Sequence, residues 1–210
     1  MATGTRRTTA ERRQEIARAA LRIIGEQGLT SLRTNAIAAE VELTSGALFR
    51  HFASIDAILA EAARYAAGRI DETFPDPSSP PLERLEALAR GRVELLTSEP
   101  GIAWCLRSEQ ARLTLPEEAV TLLASCAERT RRFVLQALRD GVSRGEIRCD
   151  IEPELLLPPV MGTIHVLAGT AGFQKLAARA AARNHRRALR ALMRLLAPPS
   201  GASRDRKRMR

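Results

Sequence analysis

Apolar residues recur at helical spacing along almost the whole chain, and strand-like alternation of Val, Ile and Thr is nearly absent, so the pattern predicts an all-α protein. No internal repeat is visible. A first helix runs from about Thr9, at its N-cap, to Gly25 or Gln27, with Ile16, Ala20, Ile23 and Ile24 at i, i+4, i+7 and i+8 forming one stripe. Gly28 stops it. A second, short helix occupies about Arg33 to Glu40 with Ile37 facing inward, and Thr34 or Ser31 is placed to cap it. After a break at Val41 to Thr44, a third short helix begins at Thr44 or Ser45 and closes near Phe52. Two short helices joined by about four residues are the sequence form of a helix-turn-helix.

Further along, Ser54-Ile55-Asp56 caps a longer helix, Ile55 to about Ile70, carrying Ile58, Leu59, Ala62, Tyr65 and Ala66. The stretch FPDPSSPP, Phe74 to Pro81, breaks the pattern with four prolines and is the best domain boundary. Helices follow at Leu82 to Ser98, Gly101 to Leu113 and Pro116 to Gly141, then the polar connector SRGEIRCDIEP, a nearly uncharged helix Glu154 to Leu176, and an arginine-rich helix Ala180 to Leu196 stopped by Pro198-Pro199. The expected organisation is residues 9–54 as a DNA-binding unit, 55–74 as a connecting helix, 82–198 as a second helical domain, and 199–210 as a basic, disordered tail. Self-association has apolar candidates on the last two helices: Leu155, Leu156, Leu157, Val160, Met161, Ile164, Val166 and Leu167 on one, and Leu189, Leu192, Met193, Leu195 and Leu196 on the other. The same side chains also fit packing within one chain.

Composition narrows the chemistry. The 210 residues carry a formal charge of +9, nearly all of the positive charge being Arg, with Lys only at 175 and 207. Genomic base composition alone can enrich Arg, so distribution says more than the sum: ten Arg face seven acids from Met1 to Ile70, whereas Arg179 to Arg194 has six Arg and no acid. Cys105, Cys126 and Cys149 form no Cys-x-x-Cys and have no His at ligand spacing, so neither a disulfide framework nor a metal site is indicated, and a reducing cytoplasm is the expected home. No signal peptide and no membrane span is expected. A Gly-rich phosphate loop, a paired carboxylate set and a nucleophile elbow are missing, and His51, His165 and His185 are dispersed, which argues against an enzyme and for no cofactor.

The informative stretch is LTSGALFRHF, Leu43 to Phe52. A helix entering the major groove brings its N-terminal face close to phosphates and base edges, which favours small residues and hydroxyls there; Thr44-Ser45-Gly46-Ala47 has that chemistry. Gly46 costs about 1 kcal/mol of helix propensity relative to Ala, which a close backbone approach to another surface would explain. Leu48 and Phe52 can face the core, leaving Phe49, Arg50 and His51 near the outer face, with Arg50 able to reach a guanine edge or a phosphate.

Residues Thr9 to about Ala63, through RRQEIARAALRIIGEQGLTSLRTNAIAAEV, ELTSGALFRHF and SIDAILAEA, resemble the DNA-binding domain of the TetR/AcrR family of bacterial transcriptional repressors. The resemblance implies an N-terminal three-helix domain with the helix-turn-helix, and a C-terminal helical domain for effector binding and dimerisation. Thr34 would contact the DNA backbone, Thr44, Ser45, Ala47 and Arg50 would approach base edges or phosphates, and Phe49 and His51 would lie against the backbone. Three positions depart from the family habit: Glu42 stands where Gly is frequent, Phe49 where Tyr is, and Ile55 where Lys is. Arg6, Arg7, Arg12 and Arg13 are expected to compensate electrostatically.

The implied partners are a double-stranded operator, a second copy of the chain, and an apolar or amphipathic small-molecule effector whose binding re-spaces the DNA-binding domains. Trp104, Phe133, Met161, His165 and Phe173 are the candidate effector-lining residues, though each also fits a plain core role. A homodimeric repressor is one reading. A DNA-binding scaffold or nucleoid-associated protein without an effector is the alternative, and repressor and activator are not separable at this level.

Overall fold

A computed structural model describes residues 8–170 and 178–199. Among them the chain is helical with no strand: α1 Thr9–Gln27, α2 Thr34–Glu40, α3 Ser45–Leu48, α4 Ile55–Asp71, α5 Pro81–Ser98, α6 Pro100–Arg107, α7 Glu109–Thr114, α8 Glu117–Arg144, α9 Pro153–Thr170 and α10 Ala178–Leu196. The all-α expectation is met.

Helix limits follow from local chemistry. The α1 cap is Thr8, one residue before the expected Thr9: its hydroxyl accepts the Glu11 amide at 3.2 Å while the Glu11 carboxylate accepts the Thr8 amide at 2.7 Å, a reciprocal capping box. Gly28, at φ +85°, ends the helix and donates its amide to the Ile24 carbonyl at 3.0 Å. Neither expected cap of α2 serves: Arg33 holds the N-cap position without a side-chain bond, Thr34 is already helical, and the Ser31 hydroxyl donates back to the Gln27 carbonyl. The helix expected over Gly101 to Leu113 is two, because Ser108 takes an extended conformation and caps α7 by accepting the Ala111 amide at 3.4 Å. The polar connector sends Ile147 into the interior, where it packs against the backbone of Gly141.

The chain divides into two compact units: residues up to Glu72 together with Ser98–Ala127, and Thr73–Thr97 together with the chain from Glu128 onward. This cuts the chain differently from the linear domains expected, since α4 belongs with α1 and the segment 98–127 rejoins the first unit after the prolines.

In the first unit, Ile16, Ala20, Ile23, Ile37, Leu48, Phe52 and Ile58 form one buried core beneath the helix-turn-helix. Burying each large side chain stabilises by about 1.5–3 kcal/mol, enough to fix two helices too short to stand alone. The α1 helix also packs on α4 and α6. Its approach to α6 is backbone to backbone: a Cβ on Gly101 would overlap the Leu21 carbonyl, and one on Gly25 would meet the Gly101 amide nitrogen.

In the second unit, Leu85, Leu88, Val134, Leu138, Val160, Ile164, Leu189, Leu192 and Leu196 meet in a second core. Two arginines of α5 are buried with it. Arg84 donates to Asp140 at 2.5 Å, and Arg92 donates to the Thr130 hydroxyl at 3.4 Å while lying 5.5 Å from the Phe74 ring centroid. Of the apolar residues offered for self-association, Leu156, Val160, Ile164, Leu189, Leu192 and Leu196 belong to this internal core, whereas Leu155, Val166 and Leu195 are more than 60% exposed.

Candidate nucleic-acid interface

The turn of the helix-turn-helix is built by the end of α2. The Glu42 amide donates to the Ala39 carbonyl and the Leu43 amide to the Ala38 carbonyl at 2.8 Å, the paired bonds of a Schellman ending. That ending requires a left-handed residue, and Glu42 supplies it at φ +55°, the one non-glycine with positive φ among the described residues. The departure from glycine at position 42 is therefore a backbone matter as well as a charge.

The recognition segment begins at Thr44, whose hydroxyl oxygen accepts the Ala47 amide at 3.1 Å. Regular α-helix covers only Ser45–Leu48, shorter than expected. Residues 49–52 continue as turns, with Arg50 and His51 donating their amides three residues back and Phe52 four residues back. Leu48 and Phe52 are buried, as the spacing predicted, and they fix which side faces out. Thr44, Ser45, Gly46, Phe49 and Arg50 are exposed, Ala47 and Thr34 half-buried. A Cβ on Gly46 would meet nothing within 4 Å, so no packing inside the protein calls for a glycine there. His51 is half-buried, and its Nδ1 is buried with no hydrogen-bond partner.

Two adjacent arginines of α1 hold the motif from behind. Arg12 donates to the Val41 carbonyl at the end of α2 and pairs with Glu15. Arg13 donates to the His51 carbonyl at 2.5 Å and to Glu61 at 3.2 Å, with its guanidinium carbon 4.1 Å from the Phe52 ring centroid. Cations at the last carbonyls of a helix oppose the negative end of its dipole. Arg12 and Arg13 are thus occupied by internal contacts rather than free for phosphates, and Arg6 and Arg7 lie outside the described residues.

The segment Thr9 to Ser54 has six arginines and five acids. Arg12, Arg13 and Arg22 pair with Glu15, Glu61 and Glu40, and Arg18 lies over the Tyr65 ring. Arg33 and Arg50 remain, both exposed and without an acidic partner among the described residues. Arg33 was missed from sequence because it precedes the periodic part of α2. It stands at the N-cap of α2 beside Thr34, at the same end of that helix.

The five effector candidates are not brought together. Trp104 is half-buried on α6, Phe133 meets Phe74 edge to face at 5.2 Å, Met161 packs on the second core, His165 is exposed, and Phe173 lies outside the described residues. A cavity of about 250 Å³ opens instead within the first unit, among α6, α7 and the start of α8, lined by Cys105, Leu115, Val120 and Leu123 with Arg107 and Arg112. Burial pushes the Cys105 thiol up to about 12, so it is a protonated, apolar part of that wall. No group of three or more metal-ligating side chains occurs among the described residues, and no described helix is long and apolar enough to cross a membrane.

A short helix pinned by its apolar side, with hydroxyls, a glycine and an unpaired arginine turned outward, defines a helix-turn-helix DNA-binding protein. Comparison with known proteins agrees. Residues 16–62 match the family model for bacterial regulatory proteins, tetR family. The HTH-type transcriptional repressor KstR2 of Mycolicibacterium smegmatis is 26% identical over 161 residues, 74% of this chain and 77% of the relative. The transcriptional regulator AcuR of Cereibacter sphaeroides is 28% identical over 149 residues, 68% of each. Among solved structures, KstR2 of Mycobacterium tuberculosis superposes with a TM-score of 0.74 at 20% identity, covering 94% of this chain and 99% of the other. AibR in complex with isovaleryl coenzyme A and operator DNA gives 0.72 at 21% identity, covering 90% and 100%. The helix-turn-helix segment thus matches the tetR family model, and the relatives and solved structures to which the longer chain is similar support a TetR-family transcriptional regulator rather than an enzyme.

Proposed function

We propose that this protein is a cytoplasmic, homodimeric repressor that binds a palindromic operator through α2 and α3 and leaves it when a small molecule binds. The observation that carries the DNA reading is the outward face of α3: Thr44, Ser45, Gly46 and Arg50 are exposed while Leu48 and Phe52 anchor the helix. Thr34 and Arg33 would grip phosphates on one side, Phe49 and His51 would lie against the backbone, and Ala47 and Arg50 would reach base edges. A single motif of this size reads too few base pairs to be specific in a genome, and two copies on a twofold axis read two half-sites. The exposed apolar stripe of α9, Leu155, Pro158, Pro159, Gly162 and Val166, supports self-association on that helix.

The effector would occupy the cavity beside α6 and α7, whose apolar wall and polar rim, Arg107 together with the Arg112–Glu109 ion pair, suit an amphipathic molecule. Its neighbour α6 abuts α1 at Gly25 and Gly101 with no side chain between, so a shift of α6 displaces the helix that holds α2 and α3 through Arg12 and Arg13. Two solved neighbours, AibR in complex with isovaleryl coenzyme A and FadR of Bacillus subtilis in complex with stearoyl-CoA, hold molecules of this amphipathic type.

The test is selection of bound sequences from a random duplex pool at fixed, moderate salt. A palindromic motif is expected. Enrichment without a motif would overturn the operator reading and favour a scaffold that coats DNA.

A further inference from the structure

We infer that the arginine face of α10 is a second DNA-contacting surface, one that grips phosphates without reading sequence. It rests on the reading that DNA is this protein's partner. The argument begins with where the charge lies. Residues 171–210 hold 12 of the 33 cationic side chains and one of the 24 acidic ones, so residues 1–170, with the whole helix-turn-helix, carry a net charge of −2. The N-terminal unit contributes only part of the attraction that works at a distance, since Met1 to Ile70 has ten Arg against seven acids, whereas the last forty residues carry the largest excess of positive charge.

On α10, Arg183, Arg187, Arg190 and Arg194 stand at i, i+4, i+7 and i+11 and form one stripe, with Arg186 beside it. All five are exposed, the helix has no acidic residue, and none of the five has an acidic partner among the described residues. Arg12, Arg13, Arg22, Arg64, Arg69 and Arg84, by contrast, are all in ion pairs. Arg187, Arg190 and Arg194 line a shallow groove of about 560 Å³ with Ala191 and Leu195. The stripe is about 16 Å long at 1.5 Å per residue, a length over which duplex DNA presents roughly ten phosphates. Guanidinium forks suit phosphate oxygens.

A basic amphipathic helix also fits a membrane surface, but only if its apolar side can enter lipid. Here Leu189, Leu192 and Leu196 are buried in the core of the second unit, so the side a bilayer would need is already occupied. A rigid polyanion that touches only the charged side is the better partner.

The experiment measures binding of the full-length protein to a random-sequence duplex by fluorescence anisotropy across a salt series. Each lost phosphate contact removes about 0.9 from the slope of log K against log salt. The variant Arg183→Gln, Arg187→Gln, Arg190→Gln, Arg194→Gln should flatten that slope by about 3 to 4 and weaken binding at least roughly tenfold at 0.1 M salt. Arg187→Gln with Arg190→Gln, a milder change, should flatten it by about 2. The fourfold Lys variant should keep the parent slope, because the charge is retained. A parent slope in the double Gln variant overturns the inference, and so does an unchanged slope accompanied by loss of binding to polyglutamate or to phosphatidylglycerol vesicles. Failure of the operator reading is distinguishable, since a pool without a palindrome leaves the random-duplex slope, and its loss in the Gln variants, intact.

Discussion

Gly46→Ala should make the protein more stable and its DNA binding weaker, a combination that separates a glycine held for a partner from one held for the fold. The backbone at Gly46 is in ordinary helical space, and a methyl group there would meet nothing within 4 Å. Only the propensity term acts on folding, and it favours Ala by about 0.5–1 kcal/mol. In the DNA complex the same methyl would stand between the α3 backbone and the groove. Overpacking a close-fitting contact costs about 1–3 kcal/mol, which corresponds to a roughly fivefold to hundredfold higher Kd. Gly68→Ala is the internal control: it is also exposed, on α4, with nothing within 4 Å of an added Cβ, and should give the stability gain without the binding loss. Urea denaturation read by circular dichroism gives the first quantity, and anisotropy with the selected operator gives the second. If Gly46→Ala binds operator as tightly as the parent while Gly68→Ala behaves as stated, the close approach at Gly46 does not exist.

Four further outcomes follow from the same geometry. Arg50→Ala should relax specificity at one position of the motif by about 1–3 kcal/mol, and repeating the selection with the variant would expose an unchanged motif, the contrary result. Arg13→Ala should cost about 2 kcal/mol of stability, because it strips charged hydrogen bonds from the His51 carbonyl and Glu61; it should also weaken operator binding without touching DNA, with Arg13→Lys restoring part of both. Glu42→Gly should raise stability by about 0.5–1 kcal/mol in urea denaturation, since φ +55° costs glycine nothing, and should tighten DNA binding by removing a negative charge from the turn. The hydrogen bond from Arg84 holds the Asp140 carboxyl below the usual carboxylate range. A depressed folded-state pKa means the pair stabilises fully above about pH 4, the ordinary Asp value, and loses that contribution as pH falls through the folded value. Asp140→Asn should therefore lower the urea midpoint at pH 7, with the gap to the parent narrowing as pH falls below about 4; a gap that stays constant as the pH is lowered through the acid range would contradict the assignment.

Features fixed by neighbours in the chain were legible from sequence. Gly28 and Ser54 act on amides or carbonyls three or four residues away, and the Leu48–Phe52 spacing sets which way α3 faces, so local pattern was sufficient. The contacts that escaped are long-range. Arg13 reaches His51 and Glu61 across 38 and 48 residues, and nothing in its own neighbourhood distinguishes it from the phosphate-binding arginine it was expected to be. Glu42 was recognisable as a departure, but its cost depends on a backbone angle that only the folded turn reveals.

The effector residues were chosen for size, and size selects core as readily as pocket: Phe133 is engaged by Phe74, while the described cavity is walled by smaller side chains such as Cys105 and Val120. That cavity belongs to a unit made from two separated stretches, up to residue 72 and from 98 to 127. A proline-rich break such as Phe74 to Pro81 marks where the helical pattern stops, not whether a later segment returns to the unit before it. The return matters for function, because it puts α6 against α1 with glycines at the crossing. A side chain at that crossing could rotate and absorb a displacement of α6, whereas two backbones in contact cannot. The small residues at positions 25 and 101, which carry no apolar or charged signal in the sequence, are the ones that let α6 and α1 meet backbone to backbone.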